Sequence, residues 1–306
     1  MRTFLLPIRK LAVESLETPL TQHCNLRCAA CDHASPFHSK SFLDMNLLAR
    51  DLDVLSRVVR AEEFRLVGGE PLQHPELLSI IEVIRKARIA KRIVVVTNGM
   101  LIHKMDQRFW RAIDKVWLSI YPGVSLPLPL AAIEDLCREH DVEFAPRPTN
   151  EFRIALVNNR IDDHGLVKAI YRDCKTAHHW KCYTVFNGYF YKCSKASVMR
   201  ERLLRLGIVR EDSPRDGVDL RSRRRLKSRL QAYLRSQEPL ASCQACLGTS
   251  GPLIPHRQLN ADALRAAADE DHSALIDQMR QRHMNSIKRD SNGQVGFLDQ
   301  ERSIRP

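Results

Sequence analysis

The chain lacks any run of about 18 apolar residues, so no stretch has the length of a membrane-spanning helix. Residues 1–10 are too short and too charged for a secretory signal. Aromatic residues make up only 6% of the chain, and none is interleaved with its basic stretches as a base-stacking surface requires. No internal repeat or low-complexity tract interrupts the 306 residues, a length that holds one large domain and a smaller one. What the chain does have is thiol. Nine cysteines without secretory features point to a reducing cytoplasm, where such a count favours metal over disulfide.

The net charge of +12 is unevenly spread: residues 221–229 carry six positive charges, and residues 280–289 add more. Charge alone supports association without specificity, so both stretches read as solvated helix faces.

Apolar spacing marks helices over 42–59, 75–87, 103–113 and 130–140, and strands over 11–21, 63–67, 92–97, 115–120, 142–145 and 152–157. Strands alternating with helices imply a parallel sheet with right-handed crossovers, and six units fall short of the eight that close a full barrel. In such α/β sheets ligands sit at the carboxyl ends of strands. Residues 24–31, 68–71, 97–99 and Tyr121 all follow strands.

The first of these stretches holds Cys24, Cys28 and Cys31 at the spacing Cys-x3-Cys-x2-Cys. Three thiolates on one short loop take three corners of an iron–sulfur cube and leave the fourth iron open. Zinc is the rival, but it wants four protein ligands. The next cysteine is Cys137, although His23, His33 and His38 are close. The second stretch is Gly68-Gly69-Glu70-Pro71, where paired glycines permit close backbone approach and the carboxylate suits an ammonium partner. Alone it is a strand-ending turn.

Together, in this order, the two motifs resemble the radical S-adenosylmethionine (radical SAM) superfamily. The resemblance implies an open six-stranded partial barrel and a [4Fe–4S] cluster on Cys24, Cys28 and Cys31, whose open iron chelates SAM. Gly68, Gly69, Glu70 and Pro71 then hold the SAM amino group, Thr97 and Asn98 lie near its ribose, and Ser119 near its methionine part. It also implies a one-electron donor such as flavodoxin or ferredoxin, and cleavage of SAM to a radical that removes hydrogen from substrate. One departure stands out: the residue before the third cysteine, usually aromatic in this superfamily, is Ala30, which puts the adenine contact in doubt and leaves His33 as a replacement.

Five more cysteines follow: Cys174, Cys182, Cys193, Cys243 and Cys246. Aromatic and β-branched residues around Asn187-Gly188 signal a hairpin in which Cys182 faces Cys193, and Cys243-x2-Cys246 follows a basic helix over 220–236. Two opposed thiols and a Cys-x2-Cys pair make a four-ligand metal site. The arrangement resembles the Twitch module, the short relative of SPASM, whose Gly-x4-Cys element matches Gly188 to Cys193 and whose first cysteine matches Cys174. That implies one auxiliary [4Fe–4S] cluster. Hairpin geometry prefers Cys182 and the family spacing prefers Cys174, so all five stay in the candidate metal set. A structural zinc is the rival here too, and Cys137 reads as an inert core thiol.

The expected architecture is therefore α/β: a partial (β/α)6 TIM-type barrel over 1–160, a Cys-rich β-hairpin and helix module over 161–250, and a polar helix (261–279) and tail over 251–306, the tail expected either to cover the barrel mouth or to stay disordered. The expected function is radical oxidation of a small molecule, such as an alcohol of an aminocyclitol or sugar, since the cysteine layout is similar to that of the 2-deoxy-scyllo-inosamine dehydrogenases. Arg147 and Arg153 are candidates to meet such a substrate. A second reading is maturation of a peptide substrate, with no room for a fused leader-binding domain before the first strand. The third is a zinc-stabilised nucleic-acid binder using residues 221–229, which leaves residues 68–71 without a role.

Overall fold

The structure, a computed structural model, describes residues 10–291. Its strands are β1 (Leu11–Thr21), β2 (Val59–Gly68), β3 (Ala90–Thr97), β4 (Lys115–Ile120), β5 (Glu143–Pro148), β6 (Glu151–Arg153), β7 (Tyr183–Phe186), β8 (Tyr189–Tyr191), β9 (Val218–Asp219) and β10 (Leu253–Pro255). The helices are α1 (Met45–Leu55), α2 (Leu77–Ala87), α3 (Gln107–Ala112), α4 (Leu130–Glu139), α5 (His164–Arg172), α6 (Ser194–Val198), α7 (Arg200–Arg205), α8 (Leu226–Arg235), α9 (Ala261–Ala268) and α10 (Ser273–Ser291). Eight strands form one sheet in the order β5-β4-β3-β2-β1-β7-β8-β9, and β10 pairs with β6 in a second, two-stranded sheet. The large sheet is mostly parallel and forms a partial TIM-type barrel.

One face of β1–β4 is a continuous apolar surface. Leu16, Leu20, Phe64, Leu66, Ile93, Val95, Val116 and Leu118 pack there with Leu48 and Leu52 of α1 and Ile80, Ile81 and Ile84 of α2. Three acidic side chains set helix starts by accepting from backbone N–H groups: Asp44 for α1, Asp106 for α3 and Asp163 for α5. Elsewhere on β2–β5, alternate positions carry charge. Glu63 pairs with Arg65 at 3.0 Å, and Arg92 and Lys115 each reach both Glu63 and Glu143, at 2.7 to 3.5 Å.

The expected sixth strand over 152–157 does not join this sheet. Only Glu151–Arg153 is a strand, and it runs antiparallel to β10. Two residues separate β5 from β6, too few for the crossover a parallel neighbour needs. The sixth parallel place belongs to β7, which pairs with β1 through Leu16–Tyr183 and Glu17–Thr184. The hairpin thus continues the barrel's own sheet.

The helix expected over 261–279 is broken between α9 and α10. Asn158 donates to the carbonyls of Ala267, Ala268 and Glu270, and Asn159 accepts from the His272 N–H at 2.6 Å. The tail expected to cover the barrel mouth falls, beyond residue 291, outside the described residues. In the basic stretch, Arg221 pairs with Asp219, Arg223 with Asp53, and Arg229 donates to the carbonyls of Ser222 and Asp219. Among the described residues no helix is long and apolar enough to cross a membrane.

Candidate active site and a second thiol cavity

The cysteine loop leaves the carboxyl end of β1 and lies backbone to backbone against the Gly68–Pro71 turn. Gly69 donates to the Thr21 carbonyl at 2.8 Å, and the Thr21 hydroxyl accepts from the Glu70 N–H at 3.1 Å. A Cβ on Gly69 would stand 1.8 Å from the His23 carbonyl oxygen, and one on Gly68, where φ is +125°, 2.3 Å from the Thr21 carbonyl oxygen. The paired glycines therefore exist for the approach of one protein loop to another.

Glu70 is fully buried. Its carboxylate accepts from the Thr97 hydroxyl at 2.7 Å, the Asn98 N–H at 2.9 Å and the Leu72 N–H at 3.0 Å. Burial raises its pKa to about 7 although all three donors oppose the rise. It joins the ends of β2 and β3. From the end of β3, Asn98 donates to Asn25 at 2.8 Å and reaches the Cys24 sulfur at 3.5 Å. Ser119, on β4, hydrogen-bonds Tyr121, whose ring stacks on His256 at 4.7 Å.

Residues that sequence reasoning passed over complete this site. After β10 the chain returns to the cysteine loop: Ala29 donates to Arg257, Leu259 donates to Arg27, and Cys28 and Gln258 form a β-bridge. Gln258 donates to the Cys28 sulfur at 3.1 Å, and His256 lies 3.3 Å from the same sulfur. The signal was the alternation Ile254, His256, Gln258 in a segment read only as polar. Burial pushes the thiols up, Cys24 to about 12 and Cys28 to about 11, with Cys31 moving the same way. They ionise only when a cation binds them. Three such sulfurs with N–H donors to Cys24 and Cys28, and backbone donors to Cys31, match the donor set of an iron–sulfur cluster.

A second group of thiols opens onto a cavity with about 430 Å³ of empty space. Cys174, Cys193, Cys243 and Cys246 line it, and Cys182 does not. The β7–β8 register is as expected, Phe186 opposite Tyr189, Val185 opposite Phe190 and Thr184 opposite Tyr191, but the pairing stops there. Lys181 is left-handed, with φ +51°, so the ladder does not extend to Cys182 opposite Cys193. Cys182 comes within electrostatic reach of Glu17, Lys195 and Cys193. Glu17 is a buried carboxyl that accepts from the Thr184 hydroxyl at 3.0 Å.

The cavity fits a bound group. The Thr176 hydroxyl on its wall is buried without a partner. The Gly248 N–H donates to the Cys246 sulfur at 3.2 Å, and a Cβ on Gly248 would stand 3.0 Å from the Cys174 sulfur. Among the described residues no three His, Cys, Asp or Glu side chains, at either thiol group, stand close enough together to hold a single metal ion.

The remaining candidates are dispersed. Arg153 donates to the Gly251 carbonyl, and Arg147 stacks on the Trp117 ring, which also carries Arg65 at 5.1 Å. His33, whose Nε2 is buried and unpartnered, lies within electrostatic reach of Asp32, Lys195 and His38. Cys137 is a buried core residue.

Residues 18–145 match the family model described as the Radical SAM superfamily. The chain is similar to the GTP 3′,8-cyclase of Mannheimia succiniciproducens, 29% identical over 100 residues, which cover 32% of this chain and 29% of that protein. It is also similar to the molybdenum cofactor biosynthesis protein 1 of Bos taurus, 32% identical over 102 residues, covering 32% of this chain and 16% of that one. Matches thus span less than a third of these relatives' length. Among solved structures, BtrN in complex with AdoMet and 2-DOIA is similar with a TM-score of 0.44 at 12% identity, covering 78% of this chain and 94% of that one.

Proposed function

We propose, from the premise that residues 18–145 form a radical SAM domain with a [4Fe–4S] cluster and SAM as its cofactors, that the chain carries out a two-electron radical oxidation of a small molecule. The observation that carries this reading is the four-thiol cavity of Cys174, Cys193, Cys243 and Cys246, separate from the Cys24–Cys31 loop. The first three cysteines would hold the SAM-binding cluster, and the cavity one auxiliary [4Fe–4S] cluster. Those groups supply reductive cleavage of SAM to methionine and a 5′-deoxyadenosyl radical, and a sink for one electron.

The chain's own residues position and exclude. Glu70 fixes the ends of β2 and β3, and a SAM ammonium at this turn would find its carboxylate already held by Thr97 and Asn98. Tyr121, Phe152 and His256 form an aromatic wall beside Cys28. Hydrogen goes from a substrate C–H to 5′-deoxyadenosine. For an alcohol, the hydroxyl proton would leave to solvent and a cluster held by Cys174, Cys193, Cys243 and Cys246 would supply the sink for the remaining electron, leaving a carbonyl. The electron that cleaves SAM comes from a donor such as flavodoxin or ferredoxin. An aminocyclitol or sugar alcohol is the substrate class that the cysteine layout favours, in a cytoplasmic enzyme.

The test is anaerobic turnover with SAM, dithionite and a panel of deuterated cyclitols and sugars. One deuterium appearing in 5′-deoxyadenosine, with one equivalent of ketone, is the expected result. Substrate-independent 5′-deoxyadenosine across the panel, with deuterium transfer from a peptide instead, would replace oxidation of a small molecule by peptide modification.

A further inference from the structure

Two lysines flank Cys193, and both are buried. Lys192 is 1% exposed and Lys195 5%. Burying an ammonium is costly unless negative charge stands beside it. Lys195 has one such neighbour, donating to Asp32 at 3.0 Å, and Asp32 directly follows Cys31. Its side chain also lines the four-thiol cavity. Lys192 has no carboxylate partner among the described residues. It donates to the carbonyls of Tyr233 and Ser236, at 3.1 and 2.8 Å, beneath the rings of Tyr171 and Tyr233. Burial works against its charge, and the groups within its electrostatic reach that favour it are the sulfurs of Cys193 and Cys243.

We propose that Lys192 and Lys195 are the built-in counter-charges of the four-thiol cavity, and that they raise the reduction potential of the cluster held there. This rests on the reading of the cavity as an auxiliary cluster site. Four thiolates around an iron–sulfur core carry net negative charge, and reduction adds one more. Two fixed ammonium groups in a low-dielectric wall favour the reduced form, which suits a site that takes an electron from a substrate radical. Asp32 attenuates one of the two. Because Asp32 belongs to the first cysteine loop, Lys195 also carries charge information between the two thiol sites.

The experiment is a redox titration of the auxiliary cluster by electron paramagnetic resonance, in a chain with Cys24, Cys28 and Cys31 changed to Ala so that only that cluster is present. Lys192→Met and Lys195→Met should each lower the potential by at least a tenfold change in the reduction equilibrium, about 59 mV for one electron. Lys→Arg at either position should restore most of it, and Asp32→Asn should move it the opposite way, upward. A Met variant that loses iron while its Arg counterpart keeps iron and potential also supports the counter-charge. Full iron with an unchanged potential in both Met variants overturns the proposal and leaves the auxiliary cluster standing. An Arg variant shifted as far as its Met counterpart does the same. No iron in the parent triple variant, with the lysines intact, overturns the cluster reading itself.

Discussion

The two thiol sites are built on opposite electrostatic plans. In the Cys24–Cys31 loop the side chains that meet two of the sulfurs are neutral, Asn98 at Cys24 and Gln258 and His256 at Cys28, and the charged groups within reach are the carboxyls of Glu70 and Asp32. In the cavity two ammonium groups stand behind Cys193. Three thiols leave a coordination position for a ligand, whereas four close the site, and only a closed site gains from fixed positive charge that a charged ligand would otherwise contest. On the proposed function, ligand count and surrounding charge would assign the two roles together: one site to bind and cleave, the other to store an electron.

The sharpest way to break this division is at the first site. Cys28→Ala should abolish 5′-deoxyadenosine formation while the auxiliary cluster, about four irons, remains; chromatographic assay and iron analysis check it. Next, Cys174→Ala and Cys182→Ala should part company. The first should lose about four irons and keep SAM cleavage without net oxidation, and the second should keep about eight. Equal iron loss in both variants would return Cys182 to the ligand set.

Backbone contact at the first site predicts the next largest effect. Gly69→Ala brings a methyl group to 1.8 Å from the His23 carbonyl oxygen, and should cost about 3 kcal/mol or more in urea unfolding of the apoprotein. Gln258→Ala removes one N–H donor from the Cys28 sulfur and should cost about 1–2 kcal/mol, read as roughly tenfold slower SAM cleavage with K_M for SAM little changed.

The smallest effect is pH dependence. The Glu70 carboxyl, raised to about 7 by burial, contributes stability that is complete below the ordinary carboxylate range and is lost as pH rises through 7. The apoprotein Tm should therefore fall between about pH 5 and 8, and Glu70→Gln should flatten that fall. A parallel decline in both proteins would mean that other groups carry it.

Much of the barrel was legible because its signals are local. The run Arg92–Thr97 (RIVVVT) reads as a buried strand, and the Asn187-Gly188 turn fixed a hairpin register that the structure repeats in the three pairs next to the turn but not at Cys182 opposite Cys193. The cysteine spacing announced the first site. What stayed hidden depends on separation in sequence. The return of residues 253–259 to Cys28 spans 230 positions between Gln258 and that sulfur, and nothing local in a polar segment specifies it. The sixth parallel strand was misplaced because 152–157 has strand composition, while the chain length needed to cross over is a property of the linker. That Cys174 and not Cys182 lines the cavity goes with the left-handed Lys181 before Cys182, a backbone state that composition does not announce.

The most direct test of the division into two clusters is iron and acid-labile sulfide per chain after anaerobic reconstitution. Three proteins should be compared: the unaltered chain, the Cys24/Cys28/Cys31→Ala chain and the Cys174/Cys193/Cys243/Cys246→Ala chain. About eight, four and four irons, each with matching sulfide, are expected. About four irons in the unaltered chain, or zinc in place of iron at the second site, would contradict it.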